Sequence, residues 1–209
     1  GGKDIWMMTI GSGNTDSRPA IAIVGGVEGN HLLGTELAIG FAENILNGKP
    51  DSIQSLLSKT TFYIFPNMTP DAMEQYFAPL KYERLGNTTA TDDDRDGKVN
   101  EDGYEDLDGN GKITMMRIES PVGEYKINPE EPRSLVKADL TKGEKGTYIL
   151  LTEGIDNDKD GSFNEDGDGG VWFNKNLTFK HPSFTQGAGE FPVSEAESRA
   201  LLDQLYQLF

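Results

Sequence analysis

The 209-residue chain has no cysteine and only two histidines, His31 and His181. The first absence excludes disulfides and thiolate metal sites, so any metal must be held by nitrogen and oxygen ligands. It also leaves the redox compartment unspecified. No apolar run approaches the length of a membrane span, and no secretory leader is legible at Gly1-Gly2-Lys3. Basic residues are scarce: 19 Lys and Arg stand against 35 Asp and Glu, a net charge of −16. With no basic face to neutralise phosphates, the composition argues against a nucleic-acid partner.

The acids that are present are concentrated. Residues 92–111 carry a net charge of −7 and residues 153–168 a net charge of −6, so thirteen of the sixteen excess charges lie in two short segments. Within them, DDDRDGKVNEDG (92–103) and DNDKDGSFNEDG (156–167) are near copies, and DLDGNGKIT (106–114) repeats the same opening. Oxygen ligands at positions 1, 3 and 5 followed by a turning glycine is the spacing of a calcium loop, since calcium takes six to eight oxygens. The candidate ligands are Asp92, Asp94 and Asp96; Asp106, Asp108 and Asn110; and Asp156, Asp158 and Asp160. Position 12, a glutamate in the helix-loop-helix calcium motif, is Gly103, Arg117 and Gly167 here. A closing carboxylate must come from elsewhere, with Asp102 and Asp166 as candidates. The alternative is a solvated acidic turn without an ion.

Apolar periodicity supplies the frame. DIWMMTI (4–10), AIAIVGG (20–26), TTFYIFPNM (60–68), ITMMRI (113–118) and TYILL (147–151) read as strands. Residues 31–48 read as a helix with Leu33, Leu37, Phe41 and Ile45 at helical spacing, and 70–77 as a short helix with Pro70 in its first turn. Residues 194–209 read as a helix with Ser194 and Glu197 forming a capping box. Strands alternating with helices predict an α/β fold with a mixed central β-sheet flanked by helices. The final helix runs to residue 209 without a stop signal, so residues 1–209 read as the N-terminal part of one domain, with acidic insertions at 92–114 and 156–168.

The stretch GGVEGNHLLGTE (25–36) follows a strand and opens a helix, with Glu28 and His31 three residues apart. Such a pair is expected at the C-terminal end of a central strand, where α/β sheets bind ligands. On residue pattern alone it is also an ordinary polar corner. Here the chain resembles the zinc carboxypeptidases of the carboxypeptidase A/B-like family, and especially bacterial members with acidic insertions. AIVGGVEGNHLLGTELA resembles that family's strand, metal loop and helix. YIFPNMTPDAME resembles its Pro-x-x-Asn-Pro-Asp-Gly segment, with Thr69 for the asparagine and Ala72 for the glycine. DGNGKITMMRI, GGVWFNKNLTF and GEFPVSEAESRALLDQL resemble, in collinear order, its arginine-bearing stretch, its Asn-Arg-Asn-Phe segment and its Pro-x-Ser-Glu-x-Glu helix.

The resemblance implies that Glu28 and His31 fall on the two early zinc ligands, in exchanged order, because the family has His-x-x-Glu. Arg117 falls on the arginine that stabilises the oxyanion, though it could equally pair with the acidic loop beside it. Asn174 and Lys175 fall on residues that hold the substrate's terminal carboxylate, with lysine replacing an arginine and losing its bidentate fork. The family's third zinc ligand, general-base glutamate and capping tyrosine are expected after residue 209. The implied function is zinc-dependent hydrolysis of C-terminal residues from peptides by a secreted or periplasmic domain with calcium-stabilised loops. The rival is a non-catalytic descendant that keeps the fold and calcium loops as a binding module.

Overall fold

The computed structural model describes residues 2–48, 50–92, 95–100, 102–164 and 167–209, and the side chain of Pro50 is outside this description. The chain divides into two compact units: Gly1–Val99 with Asp168–Phe209, and Asn100–Gly167. Both boundaries of the second unit fall within the repeated acidic segments.

The first unit is built on strand β3 (Thr61–Phe65), whose five residues are all buried. β1 (Met8–Ile10) pairs with it antiparallel and β2 (Ala20–Val24) parallel, so the sheet is mixed, in the order β1-β3-β2. Side chains alternate along a strand, and the two faces of β3 carry two separate cores. Phe62 and Ile64 pack with Ala38, Ala42 and Ile45 of helix α1 (Leu33–Asn47) and with Leu57 of helix α2 (Pro50–Leu57). Tyr63 and Phe65 pack with Met68, Phe173 and Leu201, the last on helix α4 (Ala196–Leu208). The predicted mixed sheet flanked by helices is therefore present, with α1 on one face and α4 on the other.

Several details differ from the sequence expectation. α1 presents Thr35, Ala38, Ala42 and Ile45 to the core, while Leu33 and Leu37 are 63% and 64% exposed. The reason lies at the exit of β2. A Cβ on Gly25 would stand 2.6 Å from the Gly34 carbonyl oxygen and 2.8 Å from Ala38 Cβ. At so close an approach the helix can offer only small residues, and the leucines turn outward. β2 is an edge strand among the described residues and not the centre of the sheet. α2 lacked a sequence assignment, although Pro50 opens it and Ile53 and Leu57 pack at helical spacing. α3 (Pro70–Phe77) begins with Pro70 as expected. The Ser194 capping box does not form. Glu195 is the N-cap of α4, and its backbone N–H donates to Asn176 Oδ1 at 3.1 Å.

The second unit holds a four-stranded antiparallel sheet, β4-β7-β5-β6. Its strands are β4 (Met115–Glu119), β5 (Tyr125–Ile127), β6 (Leu135–Lys137) and β7 (Tyr148–Thr152). The stretches ITMMRI and TYILL thus form an antiparallel pair in a sheet of their own, with Arg117 opposite Leu150. β5 and β6 are three residues each, too short to show alternation in the sequence.

Candidate functional site

Between β2 and α1 the backbone turns sharply. Gly26 has φ +55°, and its carbonyl accepts from Met68 N at 3.1 Å and from Thr69 Oγ1 at 2.9 Å. Position 29 must also be glycine, because a methyl there would overlap Ala72 Cβ of α3. This turn delivers Glu28 and His31 to one spot. Glu28 Oε2 lies 3.2 Å from His31 Nε2, and the side chains are 50% and 52% exposed. Two donors on a tetrahedral zinc, each about 2.0–2.2 Å from it, stand about 3.3–3.4 Å apart. Donor type and spacing fit zinc, and they fit equally the hydrogen bond that His31 Nε2 makes with Glu28 Oε2 in this structure, which zinc would have to replace. Among the described residues, however, no third His, Asp or Glu gathers with the pair, whereas zinc sites use at least three protein ligands.

The family's other positions have distinct environments. Asn174 sits in a 3₁₀ turn, Phe173–Lys175, and is exposed. Lys175 lies with Nζ 3.5 Å from the Trp172 ring centroid and donates to the Gln186 carbonyl at 2.9 Å. Burial holds its ammonium pKa below the ordinary lysine value. Arg117 is at the middle of β4 and not after it, exposed, with its guanidinium carbon 5.3 Å from the Tyr148 ring centroid. The second histidine, His181, directs Nε2 to the Ala188 carbonyl at 2.9 Å. A carbonyl only accepts, so that nitrogen carries the proton and is no metal donor.

The described residues of the three acidic loops share local features. In each, position 4 has positive φ: Arg95 at 71°, Gly109 at 72° and Lys159 at 71°. In each, the glycine N–H at position 6 donates to the first aspartate: Gly97 to Asp92 at 3.1 Å, Gly111 to Asp106 at 2.8 Å, and Gly161 to Asp156 at 3.0 Å. In each, the fifth residue accepts from the N–H two residues on: Asp96 from Lys98, Asn110 from Lys112, and Asp160 from Ser162. These short-range bonds turn alternate side chains toward one point. Asp156, Asp158 and Asp160 bring ligand oxygens within 4.8 Å of one another, as do Asp106, Asp108 and Glu153. Oxygen donors at that separation suit a hard cation. In the first loop Asp96 is paired with Lys98 at 2.8 Å, and Asp94 lies outside the described residues, as does Asp166.

Two carboxylates organise the second unit. Asp102, expected as a closing ligand, is buried and accepts the backbone N–H of Asn157 at 2.9 Å and that of Asn164. It thus ties the end of the first repeat to the backbone of the last. Glu153 was not singled out by any motif, although it stands three residues before the last repeat. It is 3% exposed and accepts from Leu107 N at 2.8 Å, Asp108 N at 3.2 Å, Thr114 N at 2.9 Å and Thr114 Oγ1 at 2.7 Å. The Thr114 hydroxyl is the chief cause that keeps its pKa below the ordinary glutamate value.

In the first unit, Asn87 and Asn176 play comparable parts that the sequence did not reveal. Asn87 Nδ2 donates to Glu195 at 2.8 Å and to Glu197 at 3.4 Å, while its Oδ1 accepts from Val171 N at 2.9 Å. Glu195 is partly buried, which opposes its ionisation. Its bonds from Ser194, Thr89 and Asn87 outweigh that and hold its pKa below the usual glutamate value. Arg84 Nη1 stands 3.3 Å from Asp168, whose carboxyl pKa is raised by burial.

The fold and site thus define a mixed α/β protein with a Glu/His pair at a strand-to-helix turn and repeated acidic loops. A profile of the zinc carboxypeptidase family matches residues 1–207, and the chain belongs to that family. Carboxypeptidase E of Caenorhabditis elegans is 36% identical over 61 residues, which are 28% of this chain and 13% of that protein. A crystal structure of thrombin activatable fibrinolysis inhibitor (TAFI) aligns with 97% of this chain and 35% of its own, at 14% identity and a TM-score of 0.47. The chain therefore matches only a minor part of the length of either relative.

Proposed function

We propose that this chain is part of a zinc-dependent carboxypeptidase that removes C-terminal residues from peptides. The observation that carries the reading is the convergence of Glu28 Oε2 and His31 Nε2 at 3.2 Å, on a turn within the zinc carboxypeptidase match. Bound zinc would supply Lewis acidity to the scissile carbonyl and to water. Glu28 and His31 would hold it. By the family resemblance alone, Arg117 is assigned the positive charge that stabilises the developing oxyanion. Asn174 and Lys175 would hold the substrate's terminal carboxylate, with Lys175 acting as a point charge aligned by Trp172. The acidic loops would hold calcium through Asp92, Asp94 and Asp96; Asp106, Asp108 and Asn110; and Asp156, Asp158 and Asp160, with Glu153 a further donor beside the middle set. Asp102 and Asp166 remain candidate closing ligands. Weak loops of this kind suit millimolar extracellular calcium, in keeping with a secreted or periplasmic protein.

The test uses the protein that carries this chain. Zinc content and release of C-terminal residues from peptides should both be lost in Glu28→Ala and His31→Ala. Unchanged zinc content and activity in both variants would refute the assignment. A second reading is a non-catalytic calcium-binding module, favoured by the absence of a third donor near the pair among the described residues. It predicts no zinc-dependent hydrolysis, together with a melting temperature that rises with calcium by linkage.

A further inference from the structure

Ser198, in the first turn of α4, is fully buried, and its hydroxyl has no hydrogen-bond partner among the described residues. A buried hydroxyl without a partner is costly and rare. Ser198 lines a small cavity of about 10 Å³ together with Met68, Asp71, Asn87, Val171 and Glu197. That volume is roughly one water-sized sphere. The Ser198 hydroxyl and the carboxylate of Glu197 offer a water both an acceptor and a donor. Glu197 receives Asn87 Nδ2 at 3.4 Å, and a carboxylate has about four acceptor sites, so it retains capacity for another donor.

A metal ion fits less well. The carboxylates lining the cavity do not form a group with oxygens within 4.8 Å of one another among the described residues. Met68 and Val171 make part of the wall apolar. A neighbouring cleft of about 450 Å³ shares Pro70, Asp71, Asn87, Glu195 and Glu197 with the cavity, so the two adjoin.

We infer that a single ordered water occupies this cavity and joins the Ser198 hydroxyl to its carboxylate wall. The bridge lies within the first turn of α4, and its Glu197 end also receives Asn87 Nδ2 at 3.4 Å. The sign of one substitution tests it. Ser198→Ala removes the hydroxyl with minimal change of shape. If the water bridges, Tm falls by about 2–4 °C, the shift expected for losing one net hydrogen bond in a chain of this size. An unchanged or raised Tm, as expected on deleting an idle buried hydroxyl, overturns the inference. Independently, a high-resolution crystal structure of the unsubstituted protein should show a water within hydrogen-bond distance of Ser198 Oγ. An empty cavity, or a coordinated metal ion there, also overturns it.

Discussion

Asn176→Ala is the most informative single change in the first unit. Asn176 is fully buried. Its Nδ2 donates to Ala188 O at 3.0 Å, Phe191 O at 3.3 Å and Ser194 Oγ at 2.9 Å, and its Oδ1 accepts from Glu195 N at 3.1 Å. The amide has two protons for three acceptors, so about three net hydrogen bonds are at stake, each worth roughly 0.5–1.5 kcal/mol. Alanine would remove them, leave Glu195 N at the start of α4 without its acceptor, and open a void. The expected loss is about 2–4 kcal/mol, which in a chain of this size lowers Tm by about 4–16 °C. The assay is thermal or urea unfolding followed by circular dichroism, with Asn174→Ala as control. Asn174 is exposed two residues away, and its substitution should stay within about 0.5 kcal/mol of the parent. If both variants melt alike, Asn176 does not anchor the loop before α4 and the reasoning is wrong.

Gly25→Ala should destabilise by about 1–3 kcal/mol. The new methyl would meet two backbone carbonyl oxygens, of Gly34 at 2.6 Å and Pro66 at 2.8 Å, and neither can rotate away; an unchanged urea midpoint would count against that packing. Glu153 has a folded pKa below its unfolded one, so its stabilising effect is present above the ordinary glutamate value, near about 4.3, and lost as pH falls through the folded value. Hydrogen exchange at β4 and β7 should therefore accelerate on acidification, with a weaker dependence in Glu153→Gln; equal pH dependence in both proteins would contradict this. Asp156→Asn with Asp160→Asn should reduce the calcium-induced rise in Tm, and a calcium response identical to the parent's would remove that loop as a site.

The parts legible in the sequence are those whose causes act over a few residues. The acidic loops are an example: the side chains at positions 1 and 5, aspartate except for Asn110, accept N–H groups within five residues, and glycine at position 6 permits the turn, so the described residues of three segments with one pattern make the same bonds. The run TFYIF is another, because a short run of aromatic and β-branched residues ended by Pro66 favours a strand, which the structure shows as β3. The Glu28 and His31 pair belongs here as well, since three residues beside two glycines suffice to bring the side chains together.

Tertiary structure alone decided the rest, because the partners lie far apart in the chain. Helical spacing could not choose between Leu37 and Ala38 as the inward face of α1; the close approach of Gly25 to Gly34 and Ala38 did. The capping box at Ser194 obeyed a local rule and lost to Asn176, eighteen residues earlier, which bonds Ser194 and takes the Glu195 N–H. Glu153 reaches back to Leu107 and Asp108, and Asn87 reaches forward to Glu195 and Glu197. A local pattern records what a residue can bond, but only the folded chain determines which buried donors and acceptors stand close enough to require it.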